Sequence, residues 1–557
     1  MTKRVLLLIF LLALFLRVYK LGSYPVGLLW DEAALGYNAY SILKTGKDEY
    51  GKFLPLIFKS FGDYKPGFYI YLTTLPVGLF GLNEFTVRLP SAFFGSLTVL
   101  VFYLLIKEAG REFNQQKEVE KLALISAALL AFNPWHLNFS RGAWELNVMT
   151  FEILVALWLA EKFFNTKKNF WLYLSCFFAI LTLFTYQSAK LLVPLLLLGW
   201  LFFWRQKIKK IEKKPIIISS GVFLLVFLLF SFVTVFKGMS GRIKVMSLFS
   251  YPRAQEESQI IQSQDNYSTF TWNIFHSSPI FFTRSFLGRF FNHFSGKFLF
   301  FYGDWSNPRN GIVNHGVLYL IDIFFLLWGL GVIFGKKRSG LENLMLFWLI
   351  LAPVPSALTR DIISSVRSFT MVIPLIFIIA TGILDFAAFL QRQKRIVQYS
   401  LFAILFLSYS FFFIRFLDLY FVHDPIFASK DHLYGYKEMV NFVKPLAEAK
   451  NKVVITTSYG QPYIFWLFYT KYNPEKYQKA AFLKENPYGD VGEVERLDNI
   501  EFRKIYWPAD RGIKNSLFVG DEFDLPLQDI VGQPGITFLK EIKFLNGNTA
   551  FRIVETH

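Results

Sequence analysis

Two adjacent carboxylates, Asp31 and Glu32, follow Trp30 just past the first hydrophobic stretch of the chain. Acidic groups are costly beside an apolar layer, so a pair kept there points to catalysis or ion handling at a membrane surface. A carboxylate so placed can act as general base on a hydroxyl or help hold a divalent cation. Asp31 also stands where it could simply N-cap the next helix. A cap needs no second acid, and Glu32 supplies one.

Further ionisable residues recur at the ends of hydrophobic stretches. Asp63-Tyr64-Lys65-Pro66 offers an ammonium at the start of a short apolar helix, a position that suits an anionic headgroup. A lysine that only snorkels is the structural alternative. Arg88 opens the second long apolar run. Arg141 and Glu145 lie four residues apart and could either pair on a helix or reach a site. Asp304, Arg309 and His315 precede a later run; Asp304 and His315 are weak metal candidates, and a turn with a loop ion pair explains them as well. Arg360, Asp361 and Arg367 lie between two further runs, and Arg367 can take a phosphate by paired hydrogen bonds. His136 reads as a packed residue. A metal site, if one exists, would draw on Asp31, Glu145 and His315.

The elements that must carry these groups are largely membrane helices. The 557 residues are 54% hydrophobic and 18% charged, against about 25% charged in soluble domains. Apolar runs of roughly 20 residues recur, each enough for a hydrocarbon core of about 30 Å. The first run follows Lys3 and Arg4 without a small-residue cleavage site, so it reads as an uncleaved helix. The net charge of +18 sits in clusters between runs, such as Arg205 to Lys214 and Lys336 to Arg338. That placement fits cytoplasmic helix ends and not a nucleic-acid surface. Cys176 is the only cysteine, which rules out an intrachain disulfide and a Cys-rich metal site.

Threading the chain by its charges gives eleven spans, near 4–22, 87–106, 122–138, 148–164, 169–187, 189–204, 215–236, 316–334, 344–358, 369–390 and 396–417. The amino terminus is then cytoplasmic. The loops near 23–86, 139–147, 237–315 and 359–368 and the tail from 418 fall outside. Residues 67–82 are too short to cross and read as a helix lying in the outer interface, with Pro66 in its first turn. A second short helix is expected over Glu32 to Leu43. The tail, 418–557, regains charge and reads as a soluble α/β domain. Its expected strands are Val453 to Thr457 and Leu517 to Gly520, its hairpin turns at Asn546-Gly547-Asn548, and its helix runs from Tyr436 to Lys450. The expected domains are therefore 1–417 and 418–557.

Ordered along the chain, Trp30-Asp31-Glu32, Lys65-Pro66, Val87-Arg88-Leu89-Pro90-Ser91-Ala92, Asn133-Pro134 and Ser140-Arg141 resemble the family 39 membrane glycosyltransferases of the C-type fold. That family includes protein O-mannosyltransferases and lipid A aminoarabinose transferases. The resemblance is strong over about 1–200 and weaker over 300–380, where Gly303-Asp304 and Arg367 to Pro374 look like later motifs. It implies an inverting transfer of a sugar from a polyprenyl-phosphate carrier to an acceptor hydroxyl outside the membrane. It implies Asp31, with Glu32, as the catalytic acids, and Lys65, Arg88 and Arg367 at the donor phosphate. Asp63, Arg141, Glu145, Asp304, Arg309, His315 and Arg360 are further candidates. Some members use a divalent metal. Two departures stand out: only Glu145 is available as a second acid after Ser140-Arg141, and Gly67 replaces the usual second proline.

The implied partners are the lipid-linked donor, membrane lipids and an acceptor that is protein, lipid or glycan. No nucleic acid is expected. Two other readings are a transporter or flippase of lipid-linked sugars, with Asp322 and Asp385 as its few intramembrane candidates, and a non-catalytic glycan-binding protein.

Overall fold

The computed structural model describes residues 2–112, 115–236, 245–480, 483–484 and 492–557. Part of the outer loop expected at 237–315, residues 237–244, lies outside them. Contacts divide the chain into two units. One comprises Met1–Phe10, Thr98–His136 and Met149–Phe416; the other comprises Leu11–Leu97, Leu137–Val148 and Leu417–His557. The contacts part between Phe416 and Leu417, within a residue of the expected boundary, but Leu11–Leu97 and Leu137–Val148 group with the tail. The first loop and the tail belong to one unit, because they share one apolar core.

Among the described residues, five helices are long and apolar enough to cross a membrane: Glu84–Ala109, Lys214–Thr234, Gly340–Ala357, Phe369–Leu390 and Arg395–Phe427. Shorter apolar helices include Asn169–Phe184, Ala189–Phe203 and Asp322–Phe334. The helix Phe68–Phe80 has 13 residues, too few for a crossing. It buries Tyr69, Ile70, Thr73 and Val77 and leaves Leu75 and Leu79 exposed. That is the two-faced pattern of a helix lying in an interface. Pro66 is not in its first turn: it ends the strand Asp63–Pro66, and Gly67 is the N-cap.

In the unit that contains the first loop, the helix Trp30–Thr45 starts one residue before Asp31. Leu29 is its N-cap, and Glu32 reaches back to accept the Leu29 N–H at 3.0 Å. Both acids lie in the first turn, where the helix dipole favours them. The left-handed Gly46 closes the helix, its N–H donating to the Ile42 carbonyl. The strands Ile57–Ser60 and Asp63–Pro66 form an antiparallel hairpin not foreseen from sequence. Its two turn residues, Phe61 and Gly62, have φ of 53° and 86°, the sign a tight hairpin turn requires at both positions. The register sets Lys65 opposite Phe58.

The tail residues of the same unit build a six-stranded mixed sheet. Lys452–Ile455 is flanked in parallel by Ile500–Phe502 and Ser516–Gly520. Thr549–Thr556 pairs antiparallel with Ser516–Gly520 and with the edge strand Ile536–Lys543. The expected hairpin and both expected strands are thus present, within a residue or two. The helix Tyr436–Ala447 keeps Pro445 in its last turn. One core runs through first-loop and tail residues, among them Ala33, Tyr37, Tyr69, Val87, Val440, Phe465, Phe468 and Tyr477. The packing is close at Gly36, where a Cβ would stand 2.6 Å from both the Phe468 ring and Val87.

Candidate active site

Asp31 does not cap its helix. Its carboxylate forms an ion pair with the Lys65 ammonium, which the hairpin presents from 34 residues downstream. The Asp31 side chain is 39% exposed and that of Lys65 16%, so the pair is open to a ligand. Lys65 also stands over the Phe61 ring. Gly67, two residues on, has a packing reason: a Cβ there would meet the Phe58 ring at 2.4 Å.

Glu32 points the other way, into the protein, and is 4% exposed. Its oxygens accept from Arg88 Nε at 2.9 Å and another Arg88 nitrogen at 3.0 Å, from Ala143 N at 2.8 Å and from Leu29 N at 3.0 Å. Burial pushes this carboxyl up, but Arg88 and the two backbone N–H donors more than offset that and hold it below its ordinary value. Glu32 is thereby a buried anchor for the start of the helix that carries Asp31.

Arg88 is fully buried. Its remaining donors go to the carbonyls of Leu21, Pro25 and Gly27. No guanidinium N–H is left for a phosphate, so the expected donor contact at Arg88 is replaced by a structural one. Arg141 is corrected in the same way. It donates to Tyr420 Oη at 3.0 Å and to the carbonyls of Leu16 and Tyr19, and its plane faces the Tyr420 and Phe421 rings. Asp63 is buried at the hairpin turn. Glu145 starts the helix Glu145–Thr166 and is partly buried.

A carboxylate that sequence reasoning passed over lies beside this pair. Glu49 is fully buried; one oxygen accepts from Asn38 at 3.0 Å, and Asn38 Oδ1 accepts the Glu49 N–H. Burial pushes the Glu49 carboxyl up to about 8, and the Lys65 charge pulls it partly back. Asn38 is seven residues from Asp31, two turns along one helix face. The available signal was Lys47-Asp48-Glu49, two adjacent acids after a lysine in the first loop.

The other candidates belong to the unit that contains Met149–Phe416. Asp304 is buried and accepts from Ser365 N at 2.9 Å, Ser365 Oγ at 3.1 Å and Ser306 Oγ at 3.0 Å. Burial pushes its carboxyl up, against those bonds. It ties two loops together. His315 is buried, with Nδ1 at 2.6 Å from the Gly316 carbonyl and its ring against Tyr319 and Phe416. Burial lowers it to about 4, so it is neutral near pH 7. Arg367 pairs with Asp361, and Arg360 donates to Tyr251 Oη at 3.2 Å. Arg309 sits partly buried in the 3-10 turn Pro308–Asn310. His136 packs on Phe369, as expected. The expected metal candidates are not assembled: among the described residues, no three His, Cys, Asp or Glu side chains stand together as a metal would need.

Residues 64–235 match the family described as dolichyl-phosphate-mannose-protein mannosyltransferase. The resemblance to the family 39 membrane glycosyltransferases stands. The matched stretch contains Lys65, Arg88, Arg141 and Glu145, and begins after Asp31 and Glu32. A Bacillus subtilis (strain 168) protein named "Putative mannosyltransferase YkcB" is 27% identical over 211 residues, covering 37% of this chain and 27% of that protein. The chain thus spans about a quarter of that relative's length. Two solved structures are similar. ArnT from Cupriavidus metallidurans bound to undecaprenyl phosphate has a TM-score of 0.49 at 12% identity, over 99% of this chain and 97% of that one. The oligosaccharyltransferase AglB from Archaeoglobus fulgidus, in complex with an inhibitory peptide and a dolichol-phosphate, has 0.49 at 14%, over 84% and 63%. With its apolar helices, this chain is an integral membrane protein.

Proposed function

We propose that this chain transfers a sugar from a polyprenyl-phosphate carrier to an acceptor hydroxyl on the outer side of the membrane, in one inverting displacement. The observation that carries this reading is the half-open Asp31–Lys65 pair on a helix anchored by the buried Glu32–Arg88 pair. Asp31 takes the acceptor proton as the oxygen attacks the anomeric carbon. The bond to phosphate breaks on the opposite face. Lys65 meets the growing negative charge on the leaving phosphate. A phosphate that draws Lys65 toward itself also frees Asp31 to act as a base. Glu32 and Arg88 hold the geometry without touching the reacting atoms.

The transporter alternative needs ionisable groups free to bind cargo deep in the spans. Its candidates are engaged: Asp322 accepts from Tyr409 Oη at 2.7 Å and Tyr319 N at 2.9 Å, and Asp385 accepts from Trp328 Nε1 at 2.9 Å.

The test is purified Asp31→Asn with a polyprenyl-phosphate sugar donor and the native acceptor fraction. Loss of transfer is expected, by on the order of a thousandfold or more, with the melting curve kept. Turnover at the parental rate would overturn the assignment.

A further inference from the structure

We propose that the trough along the helix Ser278–Asn292 is a binding site for the phosphate headgroup of an anionic bilayer lipid. Two adjoining cavities of about 440 and 490 Å³ share Arg289 and Ile362 as a common wall. Their lining includes four guanidinium groups: Arg253, Arg284, Arg289 and Arg360. A fifth, Arg367, is bound to the lining residue Asp361. The carboxylates that face them are Glu257, 3.5 Å from Arg253, and Asp361, together with Asp304, which is held by Ser365. Five cations against three acids leave an excess of positive charge.

The excess is concentrated at two residues. Arg284 has no hydrogen-bond or ion-pair partner among the described residues. Arg289 donates to the carbonyls of Ser285 and Arg360, but its buried Nε has no partner among the described residues. A buried guanidinium N–H left unbonded is costly, and a phosphate oxygen would satisfy it. Gly288 lines the same trough, and a Cβ there would meet nothing within 4 Å. Glycine weakens a helix interior, so its presence without any packing demand leaves the floor open.

The source of the phosphate follows from the helix itself. Ile280, Arg284, Leu287, Gly288 and Phe291 share one face by their spacing. Ile280, Leu287 and Phe291 are 44, 43 and 60% exposed. Exposed apolar side chains interleaved with an unpaired arginine are the surface of a helix lying at headgroup depth. A soluble anion would need no apolar frame.

The experiment uses the full-length protein in neutral detergent and measures retained lipid by native mass spectrometry. The probes are phosphatidylglycerol, phosphatidylcholine, inorganic phosphate and a polyprenyl phosphate, each added alone or in competition. Phosphatidylglycerol should be retained over phosphatidylcholine. Arg284→Gln with Arg289→Gln, and separately Gly288→Leu, should each weaken that retention about tenfold or more, with polyprenyl-phosphate binding unchanged. The proposal falls if the variants hold phosphatidylglycerol as the parent does. It falls equally if they lose polyprenyl phosphate in parallel, or if inorganic phosphate displaces phosphatidylglycerol at equal concentration. Binding is read without turnover, so this site is judged apart from the sugar-transfer reading.

Discussion

At the scale of single residues, neighbouring acids carry opposite duties. Asp31 is partly exposed and pairs with the Lys65 ammonium; Glu32 is buried and accepts from four donors. Removing Arg88 would strand a buried carboxylate, a loss of about 3–5 kcal/mol. Arg88→Ala should therefore lower the melting temperature sharply, whereas Lys65→Ala should weaken donor binding with little change in melting. Glu32, held low when folded, stabilises the protein above the ordinary carboxyl value, and that contribution disappears as pH falls through the folded value. Glu49 has the opposite sign. Its folded carboxyl keeps a proton that the unfolded chain has released between about 4.5 and about 8, so stability declines as pH rises through that window. Melting curves of Glu49→Gln should lose that decline; an unchanged pH dependence would show that Glu49 does not titrate in this range. Asp31 and Lys65 were legible in the sequence because each flanks a short helix and stands out in apolar text. The roles of Arg88 and Arg141 were not, because their partners are distant: Glu32 is 56 residues from Arg88, and Tyr420 is 279 from Arg141.

Between residue and fold stand the short elements of the first loop. The helices Trp30–Thr45 and Phe68–Phe80 were readable from apolar spacing and from length, since 13 residues cannot cross a bilayer. The hairpin between them was not: Ile57-Phe58-Lys59-Ser60 has weak alternation, and its turn uses Phe61, a residue rarely found at positive φ. In the sequence Gly67 shows only as a replacement of the usual second proline; its crowding against Phe58 appears only in three dimensions. Gly67→Ala should therefore shift the hairpin and with it Lys65. The measurable result is a raised KM for the lipid-linked donor, larger than the change in kcat. A variant with parental KM would show that the hairpin tolerates the added carbon.

For the whole molecule, the distinctive feature is the core shared by residues from the first loop and from the tail. Composition marks a change of character near 418, but it cannot report that a tail regaining charge packs on a loop hundreds of residues earlier. Tyr37 donates to the Tyr472 carbonyl, and Gln478 donates to Ser41, Thr45 and Asp48. Cutting the chain after residue 417 should leave Ala33, Tyr37 and Phe58 without their cover. Limited proteolysis should then cleave within 23–86 in the shortened protein and spare that segment in the full chain.

That shared core also imposes an order in time. A ribosome delivers the loop that bears Asp31 hundreds of residues before the strands that complete its packing, so the helix must wait for them before it is fixed. A chain released before those strands would carry the Asp31 helix without the packing that fixes it.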